Sequence, residues 1–240
     1  MDTEAAQNAE RDRSSHPADT EREEEGSRSA AVSGSVSGSV SGRRWRRGGV
    51  LLALCLVFLL LVSTFVLQPF LIPSGSMEPT LSTGDRVLVN KLAYRFGNEP
   101  QRGDVVVFDG SGYFGDSDYI KRVVGVGGDR VAGRGGRGGE QGRIQVNGEP
   151  VDEPYLYPGD APSTVPFDVV VPEGTLFVLG DHRSDSSDSR DHLGSPGGGM
   201  IPVEAVIGRA DWIGLPLDRS GSLGRPDVFA KVPEPGGAHG

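Results

Sequence analysis

From Val50 to Leu67 the chain carries no charged residue, and Leu, Val and Phe dominate (GGVLLALCLVFLLLVSTFVLQPFLI, 48–72). No other stretch constrains the fold so strongly. Eighteen residues of helix rise roughly 27 Å, close to the hydrocarbon thickness of a bilayer. A buried helix of a soluble domain would show a polar stripe, and this run has none. A cleaved secretory leader would have a shorter apolar core followed by a small-x-small site, and neither is evident. The run therefore predicts a transmembrane helix over 48–71, retained as a single anchor. The preceding RRWRR (43–47) marks the cytoplasmic side by the positive-inside rule, and Trp45 suits the interface. The expected location is the cytoplasmic membrane, single-pass, with everything after Leu71 outside the cytoplasm.

Residues 1–47 read as a disordered cytoplasmic tail. They are rich in Glu, Asp, Arg and Ser and include the repeat SGSVSGSVSG, too poor in apolar side chains to offset the entropy of ordering. Residues 72–240 read as one mainly β domain. GDRVLVN (84–90), RGDVVVF (102–108), DYIKRVVGV (118–126), TLFVLGD (175–181) and VEAVIGRADWI (203–213) are short β-branched runs bounded by turn residues. RIQVNGEPV (143–151) carries an Asn-Gly hairpin signal. No amphipathic helix interrupts them. The expected architecture is antiparallel coiled sheets, partly closed into a barrel to protect the edges. The segment 131–172 reads as a looser excursion, and the Gly-rich GRGGRGGEQG (133–142) as a loop.

The formal net charge of −9 argues against a general nucleic-acid binder. The single cysteine, Cys55, lies inside the apolar run, so neither an intramolecular disulfide nor a thiolate zinc site can form.

Directly beyond the apolar run stands PSGSMEPTL (73–81). Pro73 and Pro79 fix φ at either end of a serine-bearing turn, and Gly75 lets another backbone approach. A serine hydroxyl is a poor nucleophile without a base. One candidate base is His182, which sits among acids in GDHRSDSSDSR (180–190), with His192 following. The other is Lys121. On an alternating strand Tyr119, Lys121 and Val123 share one face, and Ile120 and Arg122 the other, so one of the two adjacent cations faces the interior. A buried lysine loses its charge readily and can then act as a base near neutral pH. The residues alone leave both candidates open.

PSGSMEPTL, GDRVLVNKLAY (84–94), RGDVVVF, YIKRVVGVGGD (119–129) and GDHRSDSSDSR, in this order behind an apolar segment, resemble the motif set of the bacterial type I signal peptidases, the leader peptidases of the serine–lysine class. The match covers roughly 69–130 and 172–216. The resemblance implies a fold shared with the self-cleaving serine–lysine repressors, with 131–172 as a variable second β-region. It implies a membrane-anchored serine endopeptidase that removes N-terminal signal peptides from exported preproteins after small residues at −1 and −3. Ser76 would be the nucleophile and neutral Lys121 the general base. The Ser76 N–H and the Ser74 hydroxyl would form the oxyanion hole. Ser186 would hydrogen-bond and orient Lys121. Asp188 and Arg190 would form a supporting ion pair, with Asp181 and Arg183 as loop scaffolding. Phe70, Ile72, Pro73, Met77, Tyr119 and Ile120 would line the substrate pocket. The implied partners are signal peptides, the lipid bilayer and the secretion translocon, with no nucleic acid, metal or organic cofactor. The family's last motif usually reads GDNR followed by DNSxDSR. Here His182 stands for the Asn, and Ser184-Asp185 replace Asp-Asn.

Overall fold

The computed structural model describes residues 41–135 and 142–235, except the side chains of 41–45 and 63–65. The expected disordered stretch up to residue 40, and most of the Gly-rich loop, lie outside the described residues.

The first element is helix α1, Ser41–Phe65. Its start revises the expectation that the tail extends to residue 47. Its apolar side chains from Val50 to Leu61 are all exposed. Among the described residues no helix is long and apolar enough to cross a membrane. The C-terminal end of the expected span is corrected outright. Leu67–Leu71 is a strand, β1, because its backbone groups pair with a neighbouring strand and its Pro69 cannot donate within a helix.

The remaining strands are β2 (Arg86–Asn90), β3 (Val105–Asp109), β4 (Asp118–Val126), β5 (Arg130–Gly133), β6 (Ile144–Val146), β7 (Glu149–Pro150), β8 (Phe167–Val170), β9 (Thr175–Leu179), β10 (Ile201–Pro202), β11 (Val206–Leu215) and β12 (Gly221–Ser222). All pairings among them are antiparallel. The main sheet runs in the order β1-β2-β11-β3-β4-β9-β10, with β12 added to β11. Its end strands do not pair with each other, so the expected partial barrel is an open sheet among the described residues. Its edges are blunted by other means. Both end strands carry a proline, Pro69 in β1 and Pro202 in β10, and β10 is only two residues long.

The second sheet, ordered β7-β6-β5-β8, occupies the segment that the residues read as loose and the resemblance implied to be a second β-region. Its strands are short and broken by Gly and Arg, which hides their alternation. Val131 pairs with Val146 on one side and Val169 on the other, and Phe167 covers Gly133, where a Cβ would meet the ring at 2.5 Å. The Asn-Gly hairpin forms as expected. Asn147 and Gly148 have φ of 53° and 84°, both in the left-handed region that a type I′ turn requires.

Three apolar clusters fill the domain. One joins both sheets through Val124, Val131, Ile144, Phe167 and Phe177. A second groups Ile72, Met77 and Leu81 with Val87, Val105 and Ile213. The third gathers Val106, Phe108, Val123 and Leu176. The stretch 72–81 is therefore anchored by its own apolar residues: Met77 and Leu81 are fully buried, and between them they hold the serine turn against β2, β3 and β11.

Candidate active site

Ser76 lies in the tight turn that follows β1. Ile72 N–H donates to Asp85 O, Glu78 N–H to Gly75 O and Leu81 N–H to Met77 O, each at 2.9 Å. This turn presents the Ser76 hydroxyl towards β4. From there the Lys121 amine reaches it: Nζ lies 2.7 Å from Ser76 Oγ. Ser76 is 7% and Lys121 3% exposed, so the contact is shielded from water. Ser74, itself exposed, approaches the same hydroxyl more loosely, with its Oγ 3.5 Å from Ser76 Oγ.

Burial sets the electrostatics. Among the described residues no carboxylate hydrogen-bonds Lys121, and desolvation pushes its pKa down to about 8 against the opposing pull of Asp188, Asp181 and Asp185. The next residue, Arg122, is as deeply buried at 2% exposure. The alternation expected for β4 holds, but both faces are covered, so both cations are interior. Arg122 is matched by a carboxylate. Its Nε and Nη2 fork onto Asp181 at 2.8 and 2.6 Å, Nη1 donates to Gly103 O at 3.0 Å, and the guanidinium sits 4.1 Å above the Tyr155 ring. Thr80 completes this group with a 2.6 Å bond to Asp181. Burial works against the charge on Arg122, but Asp181 outweighs it and holds the group protonated.

The acidic motif 180–190 closes the site from the far side. Asp188 is its hub, accepting from Gly180 N–H at 3.0 Å, from Ser186 Oγ at 2.9 Å and from both arms of the Arg190 fork at 2.8 Å. Burial alone would raise the Asp188 pKa, yet Arg190 and these donors hold it below the ordinary carboxylate range. Ser186 therefore differs from its expected role: its proton goes to the charged acceptor Asp188, and no hydrogen bond joins it to Lys121. Arg183 donates to Gly180 O at 2.9 Å and pairs with Glu153 at 2.5 Å, tying the motif to the segment before β8.

Gly180 has no alternative. A Cβ there would lie 2.2 Å from Ser186 Oγ and 2.5 Å from the Ser76 carbonyl oxygen. His182 sits beside Ser76 as well. Its backbone N–H donates to Ser76 O at 3.1 Å, and its ring Nδ1 lies 3.2 Å from Gly75 O. His192 has separate partners, stacking on Phe114 and meeting Ser187 Oγ at 3.2 Å.

Of the expected pocket residues, Phe70, Ile72, Met77 and Ile120 share one apolar cluster, with Ile72 and Met77 buried within it and Phe70 and Ile120 half-buried against it. Pro73 is exposed. Tyr119 belongs elsewhere: strand alternation turns it to the other face, where it packs on Phe108 and Phe114 and donates to Phe114 O. The residues that sequence reasoning missed are Thr80, Glu153, Tyr155 and Tyr157. The last three lie in EPYLY (153–157), a loop with no periodicity to mark them. Among the described residues no cluster of His, Cys, Asp or Glu is placed to hold a metal ion.

The family model described as signal peptidase, peptidase S26, matches residues 45–215. Signal peptidase I of Mycobacterium tuberculosis is 38% identical over 73% of this chain and 74% of its own length. Signal peptidase I of Leptolyngbya laminosa is 37% identical over 74% of this chain and 83% of its own length. A crystal structure of a signal peptidase I from Enterococcus faecalis aligns with 46% of this chain and 96% of its own, at 25% identity and a TM-score of 0.36. On the extent of the family match and the identity of these relatives, the chain belongs to the signal peptidases of the S26 peptidase family, as a bacterial type I signal peptidase.

Proposed function

We propose that the chain is a membrane-anchored serine endopeptidase that removes N-terminal signal peptides from exported preproteins, cutting after small residues at −1 and −3. The observation that carries this reading is the shielded 2.7 Å contact between Lys121 Nζ and Ser76 Oγ. In the neutral form, the Lys121 amine takes the Ser76 proton as Oγ attacks the scissile carbonyl. The Ser76 N–H and the Ser74 hydroxyl receive the developing oxyanion. The Lys121 ammonium then protonates the leaving amine, the C–N bond breaks, and an acyl-enzyme remains on Ser76. Water, deprotonated by the neutral lysine, attacks the acyl carbon, the C–Oγ bond breaks, and the Lys121 ammonium returns its proton to Ser76 Oγ. Removing one oxyanion donor typically lowers kcat by about 100- to 1000-fold.

Phe70 and Ile120 are two of the four part-buried residues packed on the apolar cluster around Met77, and they support a shallow site for small side chains. The exposed apolar side chains of α1, following Arg46 and Arg47, support anchoring in the cytoplasmic membrane with the β domain outside the cytoplasm. The lipid bilayer and the secretion translocon are then the expected surroundings of the substrate.

The test is cleavage of a model preprotein in detergent by the full chain, Ser76→Ala and Lys121→Ala. The wild type cuts after the small −1 residue and both variants fall to background. Full activity in either variant rejects the dyad. Protease added to intact cells expressing the chain digests the region after residue 72 and spares the N-terminal part. Protection of the β domain would reject the orientation.

A further inference from the structure

Gly75 C=O and Ser76 N–H belong to one planar peptide unit, so whatever holds the carbonyl also aims the N–H. Gly75 O accepts from Glu78 N–H at 2.9 Å and lies 3.2 Å from His182 Nδ1. A carbonyl oxygen only accepts, so this bond places a proton on Nδ1. The His182 backbone N–H holds the next carbonyl, Ser76 O, at 3.1 Å. One residue thus grips the peptide oxygens on both sides of the Ser76 Cα. Its ring is itself held, lying flat on Tyr157 with centroids 3.8 Å apart and planes 12° from parallel. The Tyr157 N–H donates to Asp181 O at 3.0 Å, which fixes that ring's base. A hydrogen bond onto an amide carbonyl also polarises the N–H of the same unit and strengthens the bond that N–H donates by about 10–30%.

We propose that His182 is a positioning residue that orients and polarises the Ser76 N–H for the oxyanion, with Tyr157 as its backing plate. This rests on the assignment of Ser76 as nucleophile and oxyanion donor. In this role His182 acts through the peptide units around Ser76 and not on the substrate directly. It acts on the charge that develops in the transition state, so its loss lowers kcat and leaves KM unchanged. The loop that carries Tyr157 lies in the segment between the two halves of the matched motifs, and through this stack it takes part in setting the turnover rate.

The experiment separates hydrogen bonding from packing in the full chain. His182→Phe keeps a ring on Tyr157 and loses the donor, whereas His182→Asn keeps an N–H donor and loses the ring. Each is assayed with a peptide carrying Ala at −1 and −3, and for inhibition by the same peptide ending in an aldehyde or an alcohol. Ser76 Oγ adds to the aldehyde carbon, the carbonyl π pair moves to oxygen, and the serine proton passes to Lys121, so the adduct places an oxyanion at the Ser76 N–H. The expectation is that His182→Phe lowers kcat about tenfold with KM unchanged, less than loss of a donor outright. Aldehyde inhibition weakens in parallel, alcohol binding does not change, and His182→Asn stays within about threefold of wild type on all measures. Wild-type kcat and aldehyde affinity in His182→Phe, or equal impairment in both variants, overturns the proposal. If His182→Phe lowers the melting temperature, Tyr157→Leu takes its place, and an unchanged kcat there overturns it too. Ser76→Ala, run alongside, reports on the underlying reading separately, because full cleavage by that variant removes the nucleophile assignment itself.

Discussion

Arg122 and Asp181 form a fork at 2.8 and 2.6 Å in a place where both side chains are almost fully buried, one residue along β4 from Lys121. Breaking a buried pair by removing one partner strands a charge and costs about 3–5 kcal/mol, whereas removing both costs far less. Asp181→Asn should therefore destabilise the domain by that amount. Arg122→Met combined with Asp181→Leu should recover most of the loss. A double-mutant cycle from denaturant unfolding measures the coupling. Additive single effects would mean that the pair contributes nothing as a pair.

The same stretch of β4 carries a second cation with the opposite fate. Lys121 faces a hydroxyl and not a carboxylate, so burial lowers its pKa to about 8. If the neutral amine is the base, kcat/KM rises with pH along an acid limb whose midpoint lies near that value. Activity falls about tenfold per pH unit well below it. Adding a carboxylate neighbour should move the limb upward by favouring the ammonium, and Ser186→Asp places one beside the hub. Rate measurements from pH 5 to 9 check both statements. A rate that is flat through this range would exclude Lys121 as the titrating group.

A depressed lysine pKa also has a stability consequence. The unfolded chain binds the Lys121 proton with its ordinary pKa of 10.5, and the folded chain binds it with a pKa of about 8. Below about pH 8 both states are protonated and folding carries the full cost of burying the ammonium, about 3 kcal/mol for such a difference. Between pH 8 and 10.5 the folded state is neutral while the unfolded state still binds the proton, so the cost fades and vanishes above the ordinary value. Lys121→Met should thus abolish cleavage yet stabilise the domain at pH 7, with the gain shrinking as pH approaches 10. Urea unfolding of both chains at pH 7 and pH 10 decides it. A variant less stable than wild type at pH 7 would contradict a buried, costly ammonium.

Much of this site was legible because its residues sit in short motifs whose local chemistry is strong. β4 matches its β-branched run residue for residue, and the Asn147-Gly148 turn forms where only a left-handed pair fits. The second sheet was legible from the residues only at its β6–β7 hairpin. β5 and β8 are four residues long, their alternation is broken by Gly133 and Asp168, and their register is set by partners distant in sequence. The same applies to Glu153 and Tyr157. Nothing in EPYLY announces that one residue will meet Arg183 and another His182, because both contacts depend on how the excursion folds back. Ser186 shows a subtler limit. Its place in the motif predicts proximity to the charged groups, but which acceptor takes its proton is decided by the strength of the competing carboxylate, Asp188. The strand β1 was hidden for a different reason, since LQPFL continues the apolar character of α1 and only Pro69 signals the break.

Gly180 provides the sharpest steric prediction. It follows β9 at the point where the Ser186 side chain and the Ser76 carbonyl converge, and a Cβ there would lie 2.2 Å from Ser186 Oγ and 2.5 Å from both Ser186 Cβ and Ser76 O. The Ser186 Oγ can rotate away, but only by giving up its bond to Asp188, and the Ser186 Cβ, itself 2.5 Å away, does not move with it. The Ser76 carbonyl is backbone and cannot move without shifting the serine turn. Gly180→Ala should therefore destabilise by about 1–3 kcal/mol, the range for overpacking a filled interior. It should also lower kcat far more than Ser186→Ala, which leaves the turn in place. Adding Ser186→Ala to Gly180→Ala removes the Oγ contact but leaves the residue 186 Cβ 2.5 Å away, so it should restore only a small part of the stability. It should not restore kcat, because the contact with the Ser76 carbonyl remains. Measured kcat and melting temperatures for the three variants separate the Oγ contact from the rest, and full recovery of kcat in the double variant would show that the Ser76 turn is not displaced.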